Sequence, residues 1–320
     1  MLVAVLAALG CAATFAISTS VQHHAAENAP ASADGLVRLL GYLMHRPAWL
    51  LGQLLATVAF VLHAIALYSG PLALVQPLVV SGIVFAVPVR AALSRHLPSG
   101  AELRAVALAA GGLAVFLVAT NPDAGRPADR GLTSLVMVGA GVAVAAVASV
   151  IAESGGLQRR HRAFFLGVTA GVLFGLVASL LKMALQALDE GGLLGVLTAW
   201  PTYGLILAGA GGVLTNQRAY RIAGLTASMP VLNIVNVVTA LAFGFTVFHE
   251  VPRHSPMMLA VGAVALATIA VGLWLLVRLE EGFLEQAATA ATTGLVGSPA
   301  GPPAQPMTDD GRRRPEEDNR

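Results

Sequence analysis

The stretch LVMVGAGVAVAAVASVI, residues 135–151, contains no charged side chain and no proline, and its apolar character continues from Leu132 to Ala152. A helix of about 20 apolar residues matches a hydrocarbon layer of roughly 30 Å. A helix that is apolar all round cannot stand in water, so this run belongs in lipid. The same reading extends outward to AVGAVALATIAVGLWLLV, residues 260–277, and then to a succession of similar runs separated by short polar connectors between Met1 and Arg278. The bilayer is therefore the solvent of nearly the whole chain.

Composition agrees. Of the 320 residues 56% are hydrophobic and only 11% charged, where soluble domains carry about 25% charged residues, which excludes an ordinary soluble enzyme. The 34 glycines suit helices packed closely inside lipid, because small residues let backbones approach. The single cysteine, Cys11, rules out a disulfide within the chain and reads as a small packing residue. The net charge of +2 resides in connectors, where topology accounts for it, and no nucleic-acid partner is expected.

The pattern predicts an all-α, polytopic transmembrane helix bundle of about nine spans: Leu2–Val21, Ala48–Tyr68, Leu72–Leu93, Leu103–Thr120, Leu132–Ala152, Phe164–Gln186, Pro201–Tyr220, Leu225–Phe248 and Met257–Val277. No Lys or Arg precedes the first run, so it reads as a span and not as a secretory leader. With nine crossings, Arg126, Arg130 and Arg253 fall on one side, Lys182 lies within a span, and every other basic residue falls on the opposite side or in the tail. Positive charge accumulates in the cytoplasm, which predicts a multi-pass protein of the cell membrane with the N-terminus outside and the C-terminus cytoplasmic. The expected organisation is a first repeat of four spans over 1–120, a connecting span with loops over 121–162, a second repeat of four spans over 163–278 and a disordered cytoplasmic tail over 279–320.

An internal duplication supports that division. A shift of 153 places sets Ala66-Leu67-Tyr68-Ser69-Gly70-Pro71-Leu72-Ala73 over Ala219-Tyr220-Arg221-Ile222-Ala223-Gly224-Leu225-Thr226, and Pro77 over Pro230. A shift of 159 sets Phe15 on Phe174, Ser20 on Ser179 and His23 on Lys182. An odd number of crossings separates the paired helices, so the halves sit upside down relative to each other. Inverted repeats of this kind are a recurrent plan of secondary transporters, with the solute held between the halves.

The stretches Pro47 to Gly52, Ala66 to Leu78, Gln217 to Pro230 and the closing His249-Glu250 resemble the drug/metabolite transporter superfamily, in which EamA-like repeats are common. The nine-span layout and the run Thr215-Asn216-Gln217-Arg218-Ala219-Tyr220 most resemble its NIPA-like magnesium-transporter branch. The resemblance covers roughly residues 1 to 278 and implies a solute carrier. One departure bears on the cargo: Phe60 and His63 stand where that branch carries glutamate and asparagine. Glu250 matches the glutamate that closes the eighth span and is expected at the outer rim.

Polar groups within spans tend to face the bundle interior or a water-filled cavity. The expected substrate-binding residues are His63, Gln76, Lys182, Asn216, Gln217, Tyr220, Asn233 and Asn236, with Pro77 and Pro230 as hinges because each removes a backbone donor. Ser18, Thr19, Ser20, Gln22, His23 and His24 of the first span are further polar candidates. Lys182, the one lysine of the chain, reads as a fixed charge facing an anionic group, as a proton-coupled switch, or as a stem snorkelling to the interface. Gly167, Gly171 and Gly175 form a small-residue stripe suited to packing within the monomer, with a homodimer as the alternative.

No Walker-type nucleotide loop occurs, and His249-Glu250 lacks the second histidine of a zinc-protease helix. No enzymatic activity and no cofactor are expected. The function expected is secondary transport of a small metabolite or drug-like amphiphile by alternating access. A magnesium or other divalent-cation carrier is one alternative, with the ion as cargo, and a non-transporting membrane partner or sensor is the other. Which residues would ligate a metal is left open.

Overall fold

In lipid each backbone N–H and C=O must be satisfied internally, and these apolar runs accordingly become helices. A computed structural model describes residues 1–27, 42, 44–82, 84–85, 87–89, 98–120, 125–128, 130–154, 156–250 and 256–296. Its elements are α1 (Leu2–Glu27), α2 (Pro47–Ser69), α3 (Leu72–Val80), α4 (Gly100–Thr120), α5 (Leu132–Glu153), α6 (Arg159–Thr198), α7 (Trp200–Thr246) and α8 (Pro256–Val296). The chain divides into two units, Met1–Glu280 and Glu281–Arg320. Of the second, the described part is the C-terminal stretch of α8, and residues 297–320 of the expected tail lie outside the described residues.

The protein is a multi-pass helical membrane protein. Among the described residues, 7 helices are long and apolar enough to cross: Leu2–Gln22, Pro47–Ser69, Gly100–Ala119, Leu132–Glu153, Arg159–Thr198, Ser228–Thr246 and Met257–Leu276. Two expected spans are not among them. Of the expected Leu72–Leu93 only α3 and part of its continuation are described, and Pro201–Tyr220 lies inside α7, where Gly209 to Gly212 and Asn216-Gln217-Arg218 dilute the apolar side chains. Large apolar residues such as Leu6, Leu54, Val118, Val150, Leu207 and Val264 face outward, as a lipid-facing surface requires.

Close glycine contacts fix the helix directions. Gly70 lies against Ala4, Gly10 against Leu62 and Gly52 against Ser18 and Gln22, so α1 and α2 are antiparallel. Gly82, just past α3, lies against Ala12, which makes α1 and α3 parallel. Along α6, Leu180, Val177 and Phe174 meet Gly204, Gly209 and Gly212 in antiparallel order, whereas Gly167, Gly171 and Gly175 meet Ser228, Leu232 and Asn236 in parallel order. A straight helix of 47 residues, about 70 Å long at 1.5 Å per residue, could not meet one partner in both senses. The path of α7 therefore reverses between Gly212 and Ser228, the interval in which the expected spans Pro201–Tyr220 and Leu225–Phe248 adjoin. Gly192, at φ 59, breaks α6, and Gly195 comes back against Ala187.

The glycine stripe of α6 thus packs within the monomer. A Cβ at Gly171 would lie 2.6 Å from the Leu232 carbonyl oxygen, and one at Gly175 would lie 2.5 Å from Thr239 Cβ. Helix α5 runs antiparallel to α6, with Gly141 against Leu176 and Ser149 Oγ 3.1 Å from Thr169 Oγ1. Helices α4 and α8 pair through Gly112 against Ile269 and Gly272 against Ala109. One apolar core joins the elements, including Leu67, Leu72, Leu78, Leu176, Phe243 and Phe248.

Candidate functional site

The polar centre of the bundle lies where the α2–α3 turn meets the ends of α6 and α7. Gly70 and Pro71 make that turn. Pro71, at φ −68, ends it, leaving Leu72 and Ala73 as the first residues of α3. Their N–H groups have no carbonyl within the helix to bond, and the helix dipole makes the position attractive to negative charge. Glu250 fills it: Oε1 accepts from Leu72 N at 2.8 Å and Oε2 from Ala73 N at 2.9 Å.

Lys182, on α6, completes the arrangement. Its Nζ is 2.6 Å from Glu250 Oε1, donates to the Gly70 carbonyl at 3.0 Å and lies 4.9 Å from the centre of the Phe248 ring. Glu250 is 0% exposed and Lys182 6%. The snorkelling alternative for Lys182 is thereby excluded, and Glu250 is not at the rim: the connector after α7 folds inward and carries its carboxylate into the core. Removing two such charges from water costs several kcal/mol each by typical estimates. Here the cost is offset by the opposite charge, two backbone donors, a carbonyl and an aromatic face.

The surroundings are cut to fit this carboxylate. A Cβ on Gly244 would lie 2.7 Å from Glu250 Oε2, and one on Gly125 would lie 2.8 Å from Glu250 Cγ and collide with the Phe248 carbonyl oxygen. Gly125 also has φ +71, a conformation in which glycine has no steric penalty. The connector is pinned by Glu250 N donating to Gly244 O at 2.9 Å and by Arg126 N donating to Phe248 O at 2.7 Å.

One helical turn deeper along α3, Gln76 Nε2 lies at hydrogen-bond distance, 3.2 Å, from His63 Nε2. Gln76 is 1% exposed. Two expected site residues are thus joined, directly below the Lys182–Glu250 pair.

The remaining candidates lie on α7, away from this centre. By the α6 register, Asn216 and Asn233 stand at about the same level of α6 on the two strands of the α7 hairpin. Gln217 is exposed, Asn233 and Asn236 are half-buried, and the side chains of Tyr220, His23 and His24 lie outside the described residues. The amide oxygen of Asn236 and the hydroxyl of Ser228, two residues before Pro230, are buried with no hydrogen-bond partner among the described residues. Pro77 and Pro230 both sit inside helices. Three hydroxyls of α1 are engaged in helix packing: Thr19 and Ser20 donate to the carbonyls of Phe15 and Ala16, and Ser18 donates to Gly52 O of α2 at 2.8 Å. Among the described residues no three His, Cys, Asp or Glu side chains form a cluster that could hold a metal.

Sequence reasoning missed the backbone donors of Leu72 and Ala73 and the two glycines that make room for the carboxylate. A usable signal for Glu250 was present. A lone lysine inside a span needs an anion, and few acids lie near its level.

No family model matches the chain, and no solved structure matches it. A protein of Corynebacterium glutamicum described as uncharacterized is 32% identical over 255 residues, which cover 78% of this chain and 86% of that protein.

Proposed function

This chain belongs to one family with that Corynebacterium glutamicum protein, and we propose that it is a secondary transporter of a small solute, working by alternating access between two inverted halves of a nine-span bundle. On this reading α1–α4 and α6–α8 are the halves, α5 is the connecting span, the hairpin of α7 supplies two crossings, and the plan is that of the drug/metabolite transporter superfamily.

One observation carries the reading: the two halves pack in the same register. The sequence shifts of 159 and 153 convert the contact of Ala12 with Gly82 into a contact of Gly171 with Val235, and those residues do touch. They convert the contact of Gln22 with Gly52 into Leu181 with Leu205, one residue from the observed contact of Leu180 with Gly204. In each half the first helix is antiparallel to the second and parallel to the third. The meeting of the start of α3 with the end of α7 supports two halves that run in opposite directions, the arrangement expected of inverted-repeat carriers.

The orientation that fits has the N-terminus outside and the C-terminus inside. Arg162 and Arg218 gather around Glu153 at one end, while Lys182–Glu250 and the Arg130–Glu190 pair occupy the other. The buried Asn236 amide oxygen, without a partner among the described residues, favours a solute that presents a hydrogen-bond donor or a cation. The same oxygen supports the second reading, a divalent-cation carrier in which amide oxygens receive a hydrated ion.

Purified protein in liposomes, assayed for uptake of a panel of metabolites and cationic amphiphiles and for Mg²⁺ flux, tests the proposal. Saturable flux of one solute, with Asn236→Leu and Gln76→Leu raising its KM, is the expected result. Movement of no solute in either direction across the panel would favour the non-transporting alternative.

A further inference from the structure

We propose that Lys182 and Glu250 form the outer gate of this carrier, a docking pair to which the α2–α3 turn latches. The inference rests on the transport reading and adds to it the place and chemistry of one closure.

Both charges belong to the second half, one on α6 and the other just beyond α7. What crosses between the halves is backbone: Gly70 O accepts from Lys182, and Leu72 N and Ala73 N donate to Glu250. Opening the outer end therefore does not require the ion pair to separate, which in a dry interior would be prohibitive. It requires the turn to lift off a neutral, preassembled donor–acceptor pair and to exchange three hydrogen bonds for bonds to water. That exchange is close to balanced once water enters, as a gate that opens and closes in each cycle needs.

The direction of the docking is fixed. The turn offers an acceptor opposite residue 182 and two donors opposite residue 250, so the lysine must stand at 182 and the acid at 250. The room left by Gly244 for Oε2 serves this contact, and the His63–Gln76 pair lies immediately behind it, where a solute entering from outside would arrive first.

The direction supplies the test. In a background with Cys11→Ala, a single reporter cysteine replaces Ala66, which is fully buried on α2 between His63 and the turn. Right-side-out vesicles are treated with a membrane-impermeant maleimide and the labelling rate is read. The parent should label slowly. The exchange Lys182→Glu with Glu250→Lys keeps an ion pair within the second half but sets acceptor against Gly70 O and donor against both N–H groups. It should speed labelling by about a hundredfold, the equivalent of three ordinary hydrogen bonds.

Gly244→Ala, which crowds Oε2 without altering any charge, should speed labelling by about fivefold, the equivalent of one such bond. Elution as a single species and a cooperative thermal transition verify the fold. If the exchange variant fails those checks, Gly244→Ala decides alone. Labelling at the parent's rate in the folded exchange variant, or in Gly244→Ala when that variant decides, overturns the gate. Labelling that follows the latch while no solute moves would remove the transport reading and leave the latch. Flux with labelling indifferent to both changes would do the reverse.

Discussion

Removing either member of the buried pair should destabilise the bundle, and by unequal amounts. Glu250→Ala leaves the Lys182 ammonium with one carbonyl and one ring face and strips Leu72 N and Ala73 N of their acceptor. Truncating one partner of a buried ion pair costs about 3–5 kcal/mol, and each stranded backbone donor adds about 1–3 kcal/mol unless water reaches it. Lys182→Met leaves the carboxylate with both backbone donors, and charge-assisted bonds of that kind contribute about 1.5–3 kcal/mol each, while the thioether fills the space of the lysine stem. The expected costs are therefore about 5 kcal/mol or more for Glu250→Ala and about 3 kcal/mol or less for Lys182→Met. Reversible unfolding of the purified protein in mixed micelles, titrated with SDS, measures both on one scale. Equal costs, a larger cost for Lys182→Met, or values below about 1 kcal/mol for both would mean that the pair is hydrated and that a dry, backbone-capped carboxylate does not hold the bundle together.

The glycines give a paired prediction. Gly171→Ala and Gly175→Ala press a Cβ into Leu232 O and Thr239 and should cost about 1–3 kcal/mol by overpacking, whereas Gly139→Ala, with nothing within 4 Å of the added carbon, should be neutral or slightly stabilising in a thermal melt. Arg130→Ala should cost less than about 1 kcal/mol, because its partner Glu190 has a side chain 60% exposed, and raising the salt concentration should erase the difference from the parent.

Hydropathy was enough to place most helices, because a lipid-facing span must be apolar for its whole length and few soluble elements are. Close packing was legible for the same physical reason: Gly167, Gly171 and Gly175 recur on one face, and only a backbone approaching that face explains the absence of side chains there. Depth was harder to read. Glu250 lies two residues past the expected span Leu225–Phe248 and so read as a rim position, but hydropathy reports position along the chain and not whether a connector folds inward. The donors that hold it are backbone N–H groups, which carry no signature in residue identity beyond the Gly70-Pro71 turn that exposes them. Ser18, Thr19 and Ser20 misled in the opposite sense. Their hydroxyls bond nearby carbonyls and belong to helix packing, whereas sequence alone cannot distinguish a hydroxyl turned back on its own helix from one turned towards a solute.

The proposed duplication makes the latch informative through its asymmetry. Under the shift of 159 the position matching Lys182 is His23, and under the shift of 153 the position matching Glu250 is Leu97. A symmetric pair of latches would hold both ends with equal strength and leave neither state preferred. The matched positions hold no acid–base pair, so by sequence the proposed latch has no counterpart in the first half. Under the gate proposal, the three backbone hydrogen bonds then favour the arrangement in which this end is closed. On this reading, a solute binding near His63 and Gln76 from outside must find the turn already lifted, so the latch limits how often the site is presented and not how tightly it binds.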